Sequence, residues 1–253
     1  MWDAWQPALP SVSLELSNNH QVFTMCVNYR PPAPEQFNGR IGAFSILPRE
    51  WHWPEETWKD YAAPILRAAP GLRPDAAVAS YGMVPRRHIP PEVKPFDTMN
   101  ARAESLLERR SFATAWRRLQ LCAVPMLWFY EPCYESGRAE RTAIGMADDS
   151  LFWVAGLWRE WQEPDGAMST AFTQITINAD DHPLMRRMHR PGDEKRSLVL
   201  LAQEEVGDWL ACRDTDVARS FLRHYPAEAM KAWPAPLAPK RAAPPPSPNL
   251  ELF

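Results

Sequence analysis

Four short runs carry side chains able to do covalent or acid–base chemistry. The first is Met25-Cys26-Val27-Asn28-Tyr29-Arg30. Read alone, Cys26 is one of four scattered cysteines (Cys26, Cys122, Cys133, Cys212), and burial as an inert thiol is its ordinary fate. It has a second meaning if Met25 initiates the mature chain and is removed, because Cys26 then presents an α-amine beside a thiol. An α-amine titrates near 7.7–8.0 and a lysine near 10.4, so around pH 7.4 about a quarter of the former is neutral against roughly a thousandth of the latter. A neutral amine attacks an aldehyde to form an imine. The adjacent thiolate then closes a five-membered thiazolidine and removes the C=N bond that water would attack.

The second run is Met99-Asn100-Ala101-Arg102-Ala103-Glu104. An Asn amide can orient an amine or polarise a carbonyl, and Arg102 can fork a phosphate. The same run also reads as a helix entry with a solvated arginine. The third, Trp128-Phe129-Tyr130-Glu131-Pro132, delivers one carboxylate at the end of a bulky apolar strand, a setting for a proton shuttle or for a rim salt bridge. The fourth is Met188-His189-Arg190-Pro191, followed by Lys195 and Arg196. His189 sits inside a basic run, where it is either a surface histidine or an acid–base group near phosphates. From Arg186 to Arg196 five bases face two acids, and from Arg86 to Arg118 eight face four. Both stretches are basic although the chain carries a net charge of −3, so a local basic groove is compatible with an acidic whole.

Taken in order, Met25-Cys26, Asn100-Ala101-Arg102-Ala103-Glu104, Phe129-Tyr130-Glu131 and His189 resemble the SOS-response-associated peptidase family, the abasic-site processing proteins. The resemblance covers roughly residues 25–212. Tyr81-Gly82-Met83-Val84-Pro85 is similar to that family's Trp-Gly-Leu-Ile-Pro segment, and Ala62-Ala63-Pro64 to its Asn-x-Ala-Pro turn. The resemblance implies catalytic roles for Cys26, Asn100, Glu131 and His189. Together with the basic stretches, it leads to expected DNA contacts at Arg30, Pro64, Tyr81, Arg86, Arg87, Arg102 and Arg190. It implies a β-rich pseudo-barrel that binds single-stranded or junction DNA, crosslinks to the aldehyde of an abasic deoxyribose and carries an associated peptidase activity. The chain departs from the family where Val27-Asn28 replaces Gly-Arg, Pro132 replaces Trp, and Arg190-Pro191 replaces Asp-Arg. Two other readings stay open: a thiol peptidase using Cys, His and Asn without DNA, and a non-catalytic single-strand binding module.

These residues need elements to hold them. Ile41–Leu47, Leu121–Tyr130, Thr142–Met146, Leu151–Trp158, Ala171–Asn178 and Ser197–Leu201 read as strands, rich in β-branched and aromatic residues. Glu104–Leu119, Gln203–Ala211 and Asp216–His224 read as helices, with Asp214 a cap for the last. Strand runs that adjoin rather than alternate with helices give an α+β fold, a mostly antiparallel pseudo-barrel with flanking helices. The expected organisation is an extension over 1–24 (a misassigned start or a propeptide), a catalytic domain over 25–225 and a disordered tail over 226–253, which holds eight prolines.

Composition bounds the rest. With 45% hydrophobic and 23% charged residues, the 253-residue chain is globular rather than disordered. Its longest apolar run, Leu121–Tyr130, is about half of the roughly 20 residues a membrane helix needs, so no membrane partner is expected. No C-x-x-C pair is present, which argues against structural zinc, and neither metal nor cofactor is expected. The absence of Lys or Arg before Arg30 argues against a signal peptide, so a cytoplasmic monomer with reduced thiols is expected, nucleoid-associated on damaged DNA.

Overall fold

A computed structural model of the chain describes residues 28–41, 51–68 and 73–237. Cys26, the extension over 1–24 and nearly all of the strand expected at Ile41–Leu47 lie outside these residues; Ile41 itself closes a helix, α1 (Pro34–Ile41).

The α+β expectation holds. Five strands close a mixed barrel: β2 (Ala62–Arg67), β3 (Asp75–Tyr81), β5 (Leu121–Met126), β8 (Phe152–Gln162) and β9 (Met168–Asn178). All seams are antiparallel except β3–β9, which is parallel. A short strand, β4 (Asn100–Arg102), runs parallel to β9, and β10 (Arg196–Leu198) and β11 (Leu200–Leu201) extend β9 and β8. A second antiparallel sheet orders β1 (Tyr29–Arg30), β6 (Trp128–Cys133), β7 (Glu140–Met146) and β12 (Met230–Pro234).

Side-chain alternation explains the two cores. Along β5, Leu121 and Ala123 join a cluster shared with the helices, through Trp116 of α2 (Arg110–Arg117) and Trp209 of α3 (Glu205–Ala211). Cys122 and Val124 point the other way, into a cluster with Tyr29, Tyr81, Phe129 and Phe172 that joins barrel and second sheet. Gly156 on β8 marks the closest approach: a Cβ there would lie 2.4 Å from the Thr173 carbonyl and 2.8 Å from the Cys122 sulfur. Asp214 caps α4 (Thr215–Ser220), accepting from the backbone N–H groups of Asp216 and Val217. Among the described residues no helix is long and apolar enough to cross a membrane.

Several expected elements differ. Leu121–Tyr130 is two strands, broken at Leu127, whose N–H turns to the Arg30 carbonyl as the chain changes sheets. Ser197–Leu201 is likewise split at Val199, which bonds to both sides of the barrel seam through Ile175 and Ala155. The helix expected over Glu104–Leu119 forms only at Arg110–Arg117, behind a 3-10 turn at Ala103–Ser105, and Leu107 is exposed. Residues 226–237, expected to belong to the disordered tail, instead supply β12, which pairs along all of its five residues with β7.

Candidate functional site

Glu131 and His189 form the centre of the site. Phe129 and Glu131 lie two apart on β6 and so share a face, and Phe129 is in the core. The carboxylate is thereby drawn to the margin of an apolar cluster, 4% exposed. His189 comes from the long connection between β9 and β10. There His182 accepts from the N–H groups of Leu184 and Met185 through Nδ1, at 3.2 and 3.0 Å, and opens a 3-10 turn, Met185–Arg187. Met188 then pairs with Cys133 as an antiparallel bridge, and the His189 N–H donates to the Pro132 carbonyl at 2.7 Å. These bonds lay the connection along the end of β6. They bring His189 Nε2 to 3.0 Å from a Glu131 carboxylate oxygen, with the histidine 8% exposed.

The electrostatics of the imidazole follow from these neighbours. Burial is the largest single influence and disfavours its charged form, but the charge and hydrogen bond of Glu131, with smaller help from the backbone, together hold the pKa above the ordinary 6.5. The Glu194 backbone hydrogen-bonds the ring and acts in the same direction, while Lys195 opposes it. The result is a buried Glu–His pair whose imidazole proton is bound more tightly than a free histidine's.

Asn100 is placed by β4, in register with Gln174 of β9. It is half-buried and lines a cleft of about 380 Å³ with Phe96, Arg102, Arg109, Arg110 and Ser111. Arg102 reaches the His189 connection: its guanidinium meets Glu194 at 2.7 Å. Glu194 also binds the buried Arg196, at 2.8 Å. Arg196 in turn takes both carboxylate oxygens of Glu104, at 3.0 and 2.8 Å. One ion network therefore ties the Asn100–Glu104 run to the base of the connection that carries His189.

Of the residues expected to meet DNA, Arg86 and Arg190 are exposed and their guanidinium groups have no ion-pair partner among the described residues. Arg30, Arg87 and Arg102 are paired with Glu55, Glu163 and Glu194. Arg87 shares Glu163 with His88 and Ser169, and these donors, Arg87 foremost, pull that carboxyl down to about 2. Two expectations are corrected. Tyr81 is fully buried, stacked on Phe172 at 5.2 Å and edge-on to Tyr29, with its hydroxyl donating to Gln174, so it offers no face to a base. Pro64 is buried in the middle of β2 opposite Val78 rather than in a turn exposed to DNA. Its missing N–H costs nothing in pairing, because β5 bonds β2 only at Leu66 and Arg67.

Sequence reasoning passed over three further groups. Arg109 and Arg110 line the Asn100 cleft and make no ion pair among the described residues; their adjacency at a helix start was the available signal. Glu56 gathers Asn28, Arg141 and Tyr130, each at 3.0 Å, and the Tyr130 N–H donates to the Asn28 carbonyl at 3.2 Å. No spacing in the sequence distinguishes Glu56 from Glu55. The chain two residues past Cys26 is thus anchored beside the residue that precedes Glu131.

Fold and site define a mixed β-barrel with a buried Glu–His pair and an arginine-lined cleft. The chain belongs to the SOS response associated peptidase family, whose sequence profile matches residues 48–238, a span that includes Asn100, Glu131 and His189. The abasic site processing protein YoqW of Bacillus subtilis is 30% identical over 152 residues, which make up 57% of this chain and 64% of that protein. The abasic site processing protein YobE of the same organism is 31% identical over 141 residues, 54% of this chain and 61% of that one. The chain thus spans somewhat under two thirds of the length of these relatives. A crystal structure of a Bordetella bronchiseptica protein superposes with a TM-score of 0.71 at 31% identity, covering 84% of this chain and all of that one. A Bacteroides thetaiotaomicron protein shares the fold at 20% identity, with a TM-score of 0.66 over 83% of this chain and 91% of that one.

Proposed function

We propose that the protein processes abasic sites in single-stranded or junction DNA by covalent capture through Cys26. The observation that carries this reading is the buried Glu131–His189 pair at 3.0 Å. A proton held between two side chains in a water-poor setting serves sugar-ring opening and imine formation, both of which need a proton moved at oxygen. Asn28, two residues along the chain from Cys26, is anchored beside Tyr130, the neighbour of Glu131, which supports the same reading. The names of the B. subtilis relatives support the same substrate.

The chemistry balances without a cofactor. The Cys26 amine adds to the C1′ aldehyde of the open sugar. The resulting carbinolamine takes a proton at oxygen and loses water to give the imine. The Cys26 sulfur adds to the imine carbon as its proton passes to nitrogen, closing the thiazolidine. Glu131 and His189 carry the protons, Asn100 orients the amine, and the arginines of the cleft hold flanking phosphates. The family's peptidase character enters as hydrolysis of the Met25–Cys26 bond, which exposes the amine.

The test is a denaturing gel of protein mixed with a single-stranded oligonucleotide holding one abasic site. Protein with Cys26 at its terminus should form a denaturation-resistant adduct, and Cys26→Ser should form none. No adduct with the first, or an equal adduct with the second, sinks the reading. Turnover of peptides with no response to abasic DNA would favour a thiol peptidase instead.

A further inference from the structure

The backbone of His189 is unusual. Its φ is +62°, in the left-handed region, and of the four described non-glycine residues with positive φ it alone is buried. A residue with a Cβ adopts this conformation at a cost, so something must hold it there. On one side the His189 N–H is held by the Pro132 carbonyl. On the other side the Lys195 ammonium bridges two successive carbonyls, that of His189 at 3.1 Å and that of Arg190 at 2.7 Å.

Lys195 can act as a tether because its own backbone is fixed. Its carbonyl accepts from Ala179 at 2.7 Å and its N–H donates to Asp180 at 2.9 Å, closing the base of the connection. The next residue is Arg196, 2% exposed, locked to Glu104, Glu194 and the Thr176 carbonyl. Between tether and histidine the chain turns tightly through Arg190-Pro191-Gly192-Asp193, with Gly192 at φ +88° and the Asp193 N–H on the Arg190 carbonyl.

We infer that Lys195 is the positioning residue of the dyad, holding His189 in its left-handed backbone so that Nε2 meets Glu131. The inference rests on the proposed proton-carrying role of His189 for its activity arm, but not for its titration arm. Among the described residues the groups that act on the imidazole are Glu131 on β6 and, on its own connection, the Glu194 backbone and Lys195. Among these Glu131 raises the imidazole's pKa most and Lys195 lowers it. The two roles open to Lys195 therefore have opposite signatures. If Lys195 acts only by charge, its removal moves the His189 titration upward. If it positions the ring, its removal frees the ring from Glu131, and the titration falls back toward 6.5.

The experiment follows the His189 imidazole by NMR across pH, and measures crosslink rate and DNA affinity on a single-stranded abasic oligonucleotide, both with protein that carries Cys26 at its terminus. Lys195→Met is expected to lower the His189 pKa. It should slow crosslinking by about tenfold to a hundredfold at saturating DNA, the scale of a displaced reacting group. Lys195→Arg, which keeps the donors and the charge, should restore both. An upward or absent shift in Lys195→Met overturns the inference, as does a loss of DNA affinity with the saturated rate intact, which would make Lys195 a phosphate contact. Should Lys195→Met not fold, Lys195→Gln is read in the same way against Lys195→Arg. His189→Gln separates the two levels: if it crosslinks at the wild-type rate, the proposed role of His189 fails while the titration still judges Lys195.

Discussion

At the scale of single residues, the Glu131–His189 contact couples chemistry to stability. The imidazole's folded-state pKa lies above 6.5, so the folded protein binds this proton more tightly than the unfolded chain. The stability it contributes is fully present below about pH 6.5 and is lost as pH rises through the folded-state pKa. Urea midpoints of wild type and His189→Gln, measured from about pH 5.5 to about 8.5, should show a gap that is widest at the acid end and narrows with rising pH. A gap that widens with pH would mean the histidine is held neutral. Cys122 offers the contrast to Cys26: complete burial pushes its thiol well above the ordinary range, so it is not a competing nucleophile.

At the scale of elements, tertiary contacts decide where runs stop. The residues around Glu104 have ordinary helical propensity, yet α2 begins only at Arg110. Glu104 is instead held by Arg196 and accepts from the Asn178 N–H, at 3.1 Å, which bends residues 103–105 into a 3-10 turn. Glu104→Ala leaves the buried Arg196 with Glu194 as its remaining acid. Arg196 is buried but Glu104 is half-exposed, so the cost in urea unfolding should fall at about 1–3 kcal/mol, between an exposed pair and a fully buried one. An effect below about 0.5 kcal/mol, typical of surface pairs, would contradict the placement of this network. Pro125 illustrates the converse. It ends no strand, because β2 pairs with β5 only at Ala123 and Cys122, leaving the proline nitrogen no partner strand to serve on that side.

At the scale of the whole molecule, the second sheet depends on residues that look like the start of a tail. β12 covers the edge of β7, buries Met230 and sets Trp233 edge-on to Trp128 at 6.0 Å. The Ala235 carbonyl also accepts from Arg141, which holds Glu56 and through it Asn28. A chain ending at residue 225 should therefore melt about 5–10 °C lower than one ending at residue 237, the shift for about 2–3 kcal/mol at this size. It should also crosslink more slowly, since Arg141 would lose a fixing contact. Equal melting temperatures would show that β12 contributes nothing to the sheet. Charge follows the same logic of distribution. The net charge is −3, but Arg109 and Arg110 line the Asn100 cleft without acidic partners among the described residues, whereas Arg67, Arg102 and Arg187 are each paired with a carboxylate.

The sequence alone determined the chemistry-bearing residue types, their order and the α+β class. Alternation and aromatic content mark strands locally, and Asn100, Glu131 and His189 stand in runs too particular to be filler. Only the tertiary structure decided which of them meet. Glu131 and His189 are 58 residues apart and touch because Met188 pairs with Cys133, a contact with no local signal. The same limit explains Pro64 and Tyr81, whose burial depends on strands that pair across the barrel. It also explains Lys195, whose importance lies in two carbonyl oxygens that no side-chain pattern reveals. Local physics writes propensity into neighbouring residues, whereas proximity between distant ones exists only once the barrel closes.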